Sequence, residues 1–185
     1  MRIKFWGTRG SLPTPLDARG VQENIVKAIM GIPPSERSVV LDDEVNVRAY
    51  CASLPFSTFG TYGGETTCVE VRCGKTVIVI DMGSGFRKFG GSILGDIFKG
   101  EISEVIVLMS HVHWDHIQGF PFFAPLFIPH ATTGLTLKFF GGTGWNGNMQ
   151  EVLAGQMDPP EFPVEWEKIR HEGPALDFHN IHDRF

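Results

Sequence analysis

Three observations in the 185-residue sequence predict an α/β domain. Two apolar runs, Val77-Ile78-Val79-Ile80 and Val105-Ile106-Val107-Leu108-Met109, lack polar alternation and read as strands buried on both faces. The first stops at Asp81-Met82-Gly83-Ser84-Gly85, the second at Ser110 and a histidine cluster. Ligand sites of layered α/β folds commonly lie beyond such strand ends.

The chain opens with Ile3 and Phe5 alternating as a strand, which runs into the turn Gly7-Thr8-Arg9-Gly10-Ser11-Leu12-Pro13-Thr14-Pro15. Over residues 17–60 the character changes to a helix at 21–30, a stop at Gly31 and Pro33-Pro34, and an acidic patch at Asp42-Asp43-Glu44. This stretch reads as an insertion, with a lid as one role open to it, inside a single domain spanning 1–185. Strands resume at 66–72 and 76–80, and Gly74-Lys75 between them suits a tight hairpin. Leu135, Leu137 and Phe139 alternate as a further strand. Asn148 with Glu151 three residues on marks a helix start, and Met149, Val152, Leu153 and Gln156 or Met157 follow at helical spacing. Pro159, Pro160 and Pro163 break the chain, and residues 176–185 read as a strand entering a turn with no partner after it.

Composition narrows the class. No run of about 18 apolar residues occurs, and no signal-peptide segment follows Met1, so a membrane span is not expected and the cytoplasm is the default location. A net charge of -5 argues against a broad electropositive surface for nucleic acid and leaves room for a small anionic substrate. Cys51, Cys68 and Cys73 are odd in number and wrongly spaced for a disulfide framework or a Cys-x-x-Cys clamp, and read as reduced thiols with no metal role. Alternation sets Thr67, Val69, Val71 and Cys73 on one face and Cys68, Glu70 and Arg72 on the other, with Cys73 expected to pack.

The chemistry concentrates in His111-Val112-His113-Trp114-Asp115-His116. In an extended segment residues i and i+2 face the same way, so His111 and His113 can present two nitrogens to one ion. Asp115 and His116 can address a second ion as the chain turns into a helix. Imidazole and carboxylate donors suit Zn²⁺, Mn²⁺ or Fe, with zinc the first choice of two divalent ions. Metal would lower the pKa of a water toward about 7, and Asp115, the expected catalytic residue, could both ligate and orient the resulting hydroxide. Capping and core histidines would explain a lone His better than four such residues at this spacing. Asp81 either caps the Gly-rich turn or hydrogen-bonds a metal ligand from behind. Trp114 and Phe120-Pro121-Phe122-Phe123 read as apolar wall and packing, and His130 and His171 as surface histidines.

At these residues the chain resembles the metallo-β-lactamase-fold hydrolase superfamily, whose hallmark His-x-His-x-Asp-His stands at residues 111–116. Supporting stretches are the first strand and turn at 5–15, Gly63-Gly64-Glu65-Thr66-Thr67-Cys68, Asp81-Met82-Gly83 and Trp114-Asp115-His116-Ile117-Gln118-Gly119. Together they look most like the branch containing tRNase Z-like and phosphodiesterase-like members, although Glu65 stands where that branch usually has Asn. The resemblance covers nearly the whole chain outside 17–60. It implies a four-layer αββα sandwich, of which this chain is expected to carry the N-terminal part. It also implies three further ligands: a third histidine for the first metal, a bridging aspartate, and a last histidine for the second metal. None is evident after His116, so the chain is expected to be either the front of a longer enzyme or a compact variant that recruits His179 or His182.

The expected function is metal-dependent hydrolysis of phosphodiester bonds in a small nucleotide or an RNA end, by attack of metal-bound hydroxide on phosphorus. Arg9, Arg87 and Lys88 are the nearest candidates for phosphate contact. The alternatives are an acyl hydrolase acting on a lactone, thioester or β-lactam, and an inactive metal-binding scaffold, because fold and motif alone do not separate these. A homo-oligomer is left open.

Overall fold

The structure is a computed structural model that describes residues 1–142, 148–160 and 162–181. It divides into two compact units, Thr14–Gly63 and a larger one made of Met1–Pro13 with Gly64–Phe185.

The larger unit is built on a six-stranded sheet whose spatial order follows the chain. The strands are β1 (Arg2–Gly7), β2 (Cys68–Cys73), β3 (Thr76–Ile80), β4 (Glu104–Leu108), β5 (Thr136–Gly142) and β6 (Ala175–Ile181). The first three pair antiparallel, and β3 through β6 run parallel. Gly74, at φ 60°, supplies the left-handed residue of the expected β2–β3 hairpin. The closing segment is the strand β6, which lies beside β5.

One face of the sheet is covered. Val77, Val105 and Leu137 share one row of this face and Val79, Val107 and Phe139 the next, and all six are buried. Against this core pack Phe86, Phe89, Ile93 and Ile97 of the helix Gly85–Phe98, three and four residues apart as an apolar helix face requires. Phe86 stacks on Phe123 at 4.2 Å between ring centroids. The helix Trp166–Glu172 adds Trp166 and Ile169, and the helix Met149–Ala154 adds Met149 and Leu153 behind the expected Asn148–Glu151 capping box.

On the other face the strand residues are half-buried or exposed, which corrects the expectation that β3 and β4 are buried on both sides. Its rows read Ile3, Val71, Ile78, Ile106 and Phe5, Val69, Ile80, Leu108, Phe140. Ile3 is 53% exposed, Phe5 66%, and Ile80 and Leu108 37% each. An apolar run records what a strand can tolerate, not which sides are covered. The same fact reverses the cysteines: Cys68 shares the covered face with Glu70 and is buried, whereas Cys73 ends the hairpin exposed. In the larger unit the mixed α/β class is thus observed as one sheet with helices packed on one face. A second sheet, as in the four-layer sandwich, is not present among the described residues.

Thr14–Gly63 forms four helices, at Ala18–Met30, Arg37–Val40, Glu44–Ser53 and Phe56–Phe59. The acidic patch is a helix start: Asp43 accepts from the Asn46 amide at 2.8 Å, and Glu44 pairs with Arg48 one turn on. Tyr50 ties the third helix to the first through a 2.9 Å hydrogen bond to the Ala28 carbonyl. Among the described residues, no helix is long and apolar enough to cross a membrane.

Candidate metal centre

The parallel register of β3 and β4 sets Ile80 opposite Leu108, so the two polar strand ends lie side by side. The Asp81 amide donates to the Leu108 carbonyl at 3.0 Å, and the Met109 amide to the Phe140 carbonyl of β5 at 2.8 Å. The chain then leaves the sheet through Ser110 and turns into a single helical turn, Trp114–Ile117, with His113 at its N-cap position. This folds the motif onto itself. The His111 ring lies 4.5 Å from His113 and 4.0 Å from His116 between centroids, and His116 Nε2 is 3.3 Å from Asp115 Oδ2.

Two ties hold the cluster. Asp81, 2% exposed, accepts from the Ser110 amide at 2.8 Å and lies 2.8 Å from His116 Nδ1, which donates to it. Its side chain therefore meets a histidine of the motif and the strand end before it, rather than an amide of its own Gly-rich turn. The second tie comes from the turn after β1, where the Ser11 amide donates to Asp115 Oδ2 at 2.9 Å. Burial opposes ionisation of Asp115, but the amides of Ser11 and of Asp115 itself and the nearby His116 and His111 outweigh it and lower its pKa. Ser11 and Asp81 are also the non-glycine residues with left-handed backbone, at φ 60° and 61°, among those described. Strained backbone of this kind concentrates at functional sites.

Glycines make the close approach possible. A β-carbon on Gly83 would stand 2.5 Å from the Asp115 carbonyl oxygen, and one on Gly119 would overlap the Gly83 carbonyl. The motif helix thereby packs directly on the turn after β3.

His111, His113, Asp115 and His116 thus come together as a group, with Asp81 behind them. The remaining histidines are used elsewhere. His130 Nδ1 is 2.8 Å from the Leu135 carbonyl, His171 is exposed near Glu167, and His179 stacks on Phe140 with Nε2 2.9 Å from Asp177. His182 lies outside the described residues. Arg87 and Lys88 both face Glu65, at 3.9 and 3.0 Å, and the Arg9 amide donates to the Glu65 carbonyl. Glu65 also accepts from Ser84 at 2.6 Å. Burial opposes its charge, but Ser84, Lys88 and Arg87 outweigh it and lower its pKa. Sequence reasoning missed Ser11 and Ser110, whose signal was their position: one in a Gly/Pro turn after a strand, the other between a strand end and the first histidine.

In chemistry, the donors fit borderline divalent ions. In arrangement, no group of three or more His, Cys, Asp or Glu among the described residues is placed to hold a metal ion.

A mixed sheet with a polar cluster beyond its parallel strands is a ligand-site architecture. No family model and no curated protein matches the chain. Among solved structures, a diphosphatase of the PhnP family is similar to 97% of the chain and 50% of its own, with 17% identity and a TM-score of 0.46. The short form of human tRNase Z is similar over 99% of the chain and 46% of its own, with 14% identity and a TM-score of 0.44. The chain spans about half the length of these two structures.

Proposed function

We propose that the chain carries the metal-ligand loop of a hydrolase of phosphodiester bonds. The observation that supports this reading best is the convergence of His111, His113, His116 and Asp115 at the end of β4, braced by two strained residues. His111 and His113 would hold one divalent ion, Asp115 and His116 a second. Bound there, such ions acidify water and polarise a phosphoryl oxygen.

The chain's own residues do the positioning. Asp81 accepts a hydrogen bond from His116 Nδ1 and leaves Nε2 facing Asp115. The Ser11 amide fixes one oxygen of Asp115, whose lowered pKa keeps it a carboxylate at neutral pH, able to ligate or to accept a hydrogen bond from water. The substrate class follows the motif resemblance.

The test is turnover of bis-p-nitrophenyl phosphate by the purified chain with added Zn²⁺ or Mn²⁺, beside a lactone and a thioester. Metal-dependent turnover of the phosphodiester, lost in His116→Ala, is the expected result. Equal activity in wild type and His116→Ala would rule the site out. A count of two donors for each proposed ion favours one other reading, a metal-binding scaffold without turnover, which predicts partial metal loading and no product from any of the three substrates.

A further inference from the structure

The Ser110 hydroxyl has one proton and four polar neighbours. Its oxygen lies 2.9 and 2.8 Å from the two carboxylate oxygens of Asp81, 3.0 Å from His111 Nδ1 and 3.4 Å from His116 Nδ1. The backbone amide of Ser110 donates to the same Asp81 carboxylate at 2.8 Å, so the serine is fixed at both its main chain and its side chain. A carboxylate oxygen only accepts, and a hydrogen bond to a charged acceptor is the stronger kind, so the hydroxyl proton goes to Asp81. Turning it toward His111 would set the oxygen's lone pairs against the carboxylate at hydrogen-bond distance. With its proton on Asp81, the hydroxyl can only accept from His111, and Nδ1 of His111 must carry the hydrogen.

We infer that Ser110 is a positioning residue that relays the Asp81 carboxylate to His111, locking that imidazole as its Nδ1–H tautomer with the Nε2 lone pair free. Asp81 also accepts from His116 Nδ1 directly, while Nε2 of that ring faces Asp115 Oδ2 at 3.3 Å. One buried carboxylate then holds the Nδ1 hydrogens of two imidazoles, one through a hydroxyl and one without, and His111 presents Nε2 as the donor atom. What that lone pair is for rests on the metal-ligand reading above, whereas the tautomer itself does not.

The experiment uses the metal-free chain with ¹⁵N-labelled histidine at about pH 8, above the ordinary imidazole pKa of about 6.5. Long-range ¹H–¹⁵N correlation then reports the tautomer of each ring. Wild type should show His111 as Nδ1–H. In Ser110→Ala, His111 should move toward Nε2–H while His116 stays, and Ser110→Thr, which keeps a hydroxyl, should restore the wild-type pattern. His111 found as Nε2–H in wild type would overturn the inference even if Ser110→Ala fails to fold, as would identical His111 signals in wild type and Ser110→Ala. Titration with Zn²⁺ alone should show affinity about 10-fold weaker in Ser110→Ala, the low end of what losing a partner behind a ligand costs, with recovery in Ser110→Thr. Unchanged zinc affinity would overturn the relay's role in presenting a ligand. A locked His111 in a chain that takes up no zinc would instead uphold the relay and remove the hydrolase reading.

Discussion

Replacing Gly83 with alanine tests whether the cluster is built on close backbone approach. The added β-carbon would lie 2.5 Å from the Asp115 carbonyl oxygen, 2.5 Å from Thr66 Oγ1 and 2.6 Å from the Thr66 carbonyl carbon. Ordinary contact begins near 3.4 Å, so about 1 Å of room is missing, and two of the three neighbours are backbone that no rotamer change relieves. Overpacking of this kind costs roughly 1–3 kcal/mol. At about 2–4 °C per kcal/mol for a chain of this size, the midpoint should fall by about 2–12 °C. Any relief must carry the Asp115 or Thr66 main chain with it, so zinc uptake should weaken in parallel. Gly91→Ala is the control: it lies on the exposed side of the helix Gly85–Phe98, and its β-carbon meets nothing within 4 Å. It should gain about 0.8–1 kcal/mol of helix propensity and melt higher. Thermal melts followed by circular dichroism read both variants. A Gly83→Ala midpoint at or above wild type would refute the close-approach argument, and an equal fall in Gly91→Ala would show that the loss is not specific to the site.

Two further outcomes follow from charge and exposure. Glu70 is buried, and although burial opposes its charge, hydrogen bonds from Trp6 and Arg2 and the Arg72 charge outweigh it and lower its pKa below 4.5. Its contribution to stability is therefore present above pH 4.5 and lost as the pH falls through the lower folded value, so Glu70→Gln should cost about 1–3 kcal/mol at pH 7 and progressively less in acid. Denaturant titrations across that range check this, and a penalty independent of pH would refute it. On the half-exposed sheet face, the double variant Ile3→Thr and Phe5→Thr should lower binding of an apolar dye at a stability cost under about 1 kcal/mol. A loss above about 3 kcal/mol would mean that the face is covered in solution.

The sequence made local features legible and left long-range ones hidden. The hairpin at Gly74-Lys75 and the capping box at Asn148 depend on spacing within a few positions, and each stands where the spacing put it. Which side of a strand is covered depends on helices elsewhere in the chain. Hence Val77-Ile78-Val79-Ile80 read as wholly buried, and Cys73 was expected to pack where Cys68 does. The tie from Ser11 to Asp115 spans 104 positions and uses a backbone amide, which no residue type announces. Ser110 was hidden for a different reason: a serine after a strand is common, and only the neighbouring Asp81 turns it into a relay.

The two left-handed residues bear on what the cluster is for. A non-glycine residue in that region costs of order 1–3 kcal/mol and persists only where its surroundings over-determine it, and glycine would close either turn more cheaply. At Asp81 glycine would remove the carboxylate that holds the Ser110 amide and His116 Nδ1, so the strain is tied to a side chain that faces the motif. At Ser11 it is the amide that matters, aimed at Asp115 by the same backbone that carries the strain. A strand end needing only a turn requires neither arrangement. Both make sense where the positions of an imidazole and a carboxylate have to be held against thermal motion, which is what the proposed metal-ligand role would ask of them.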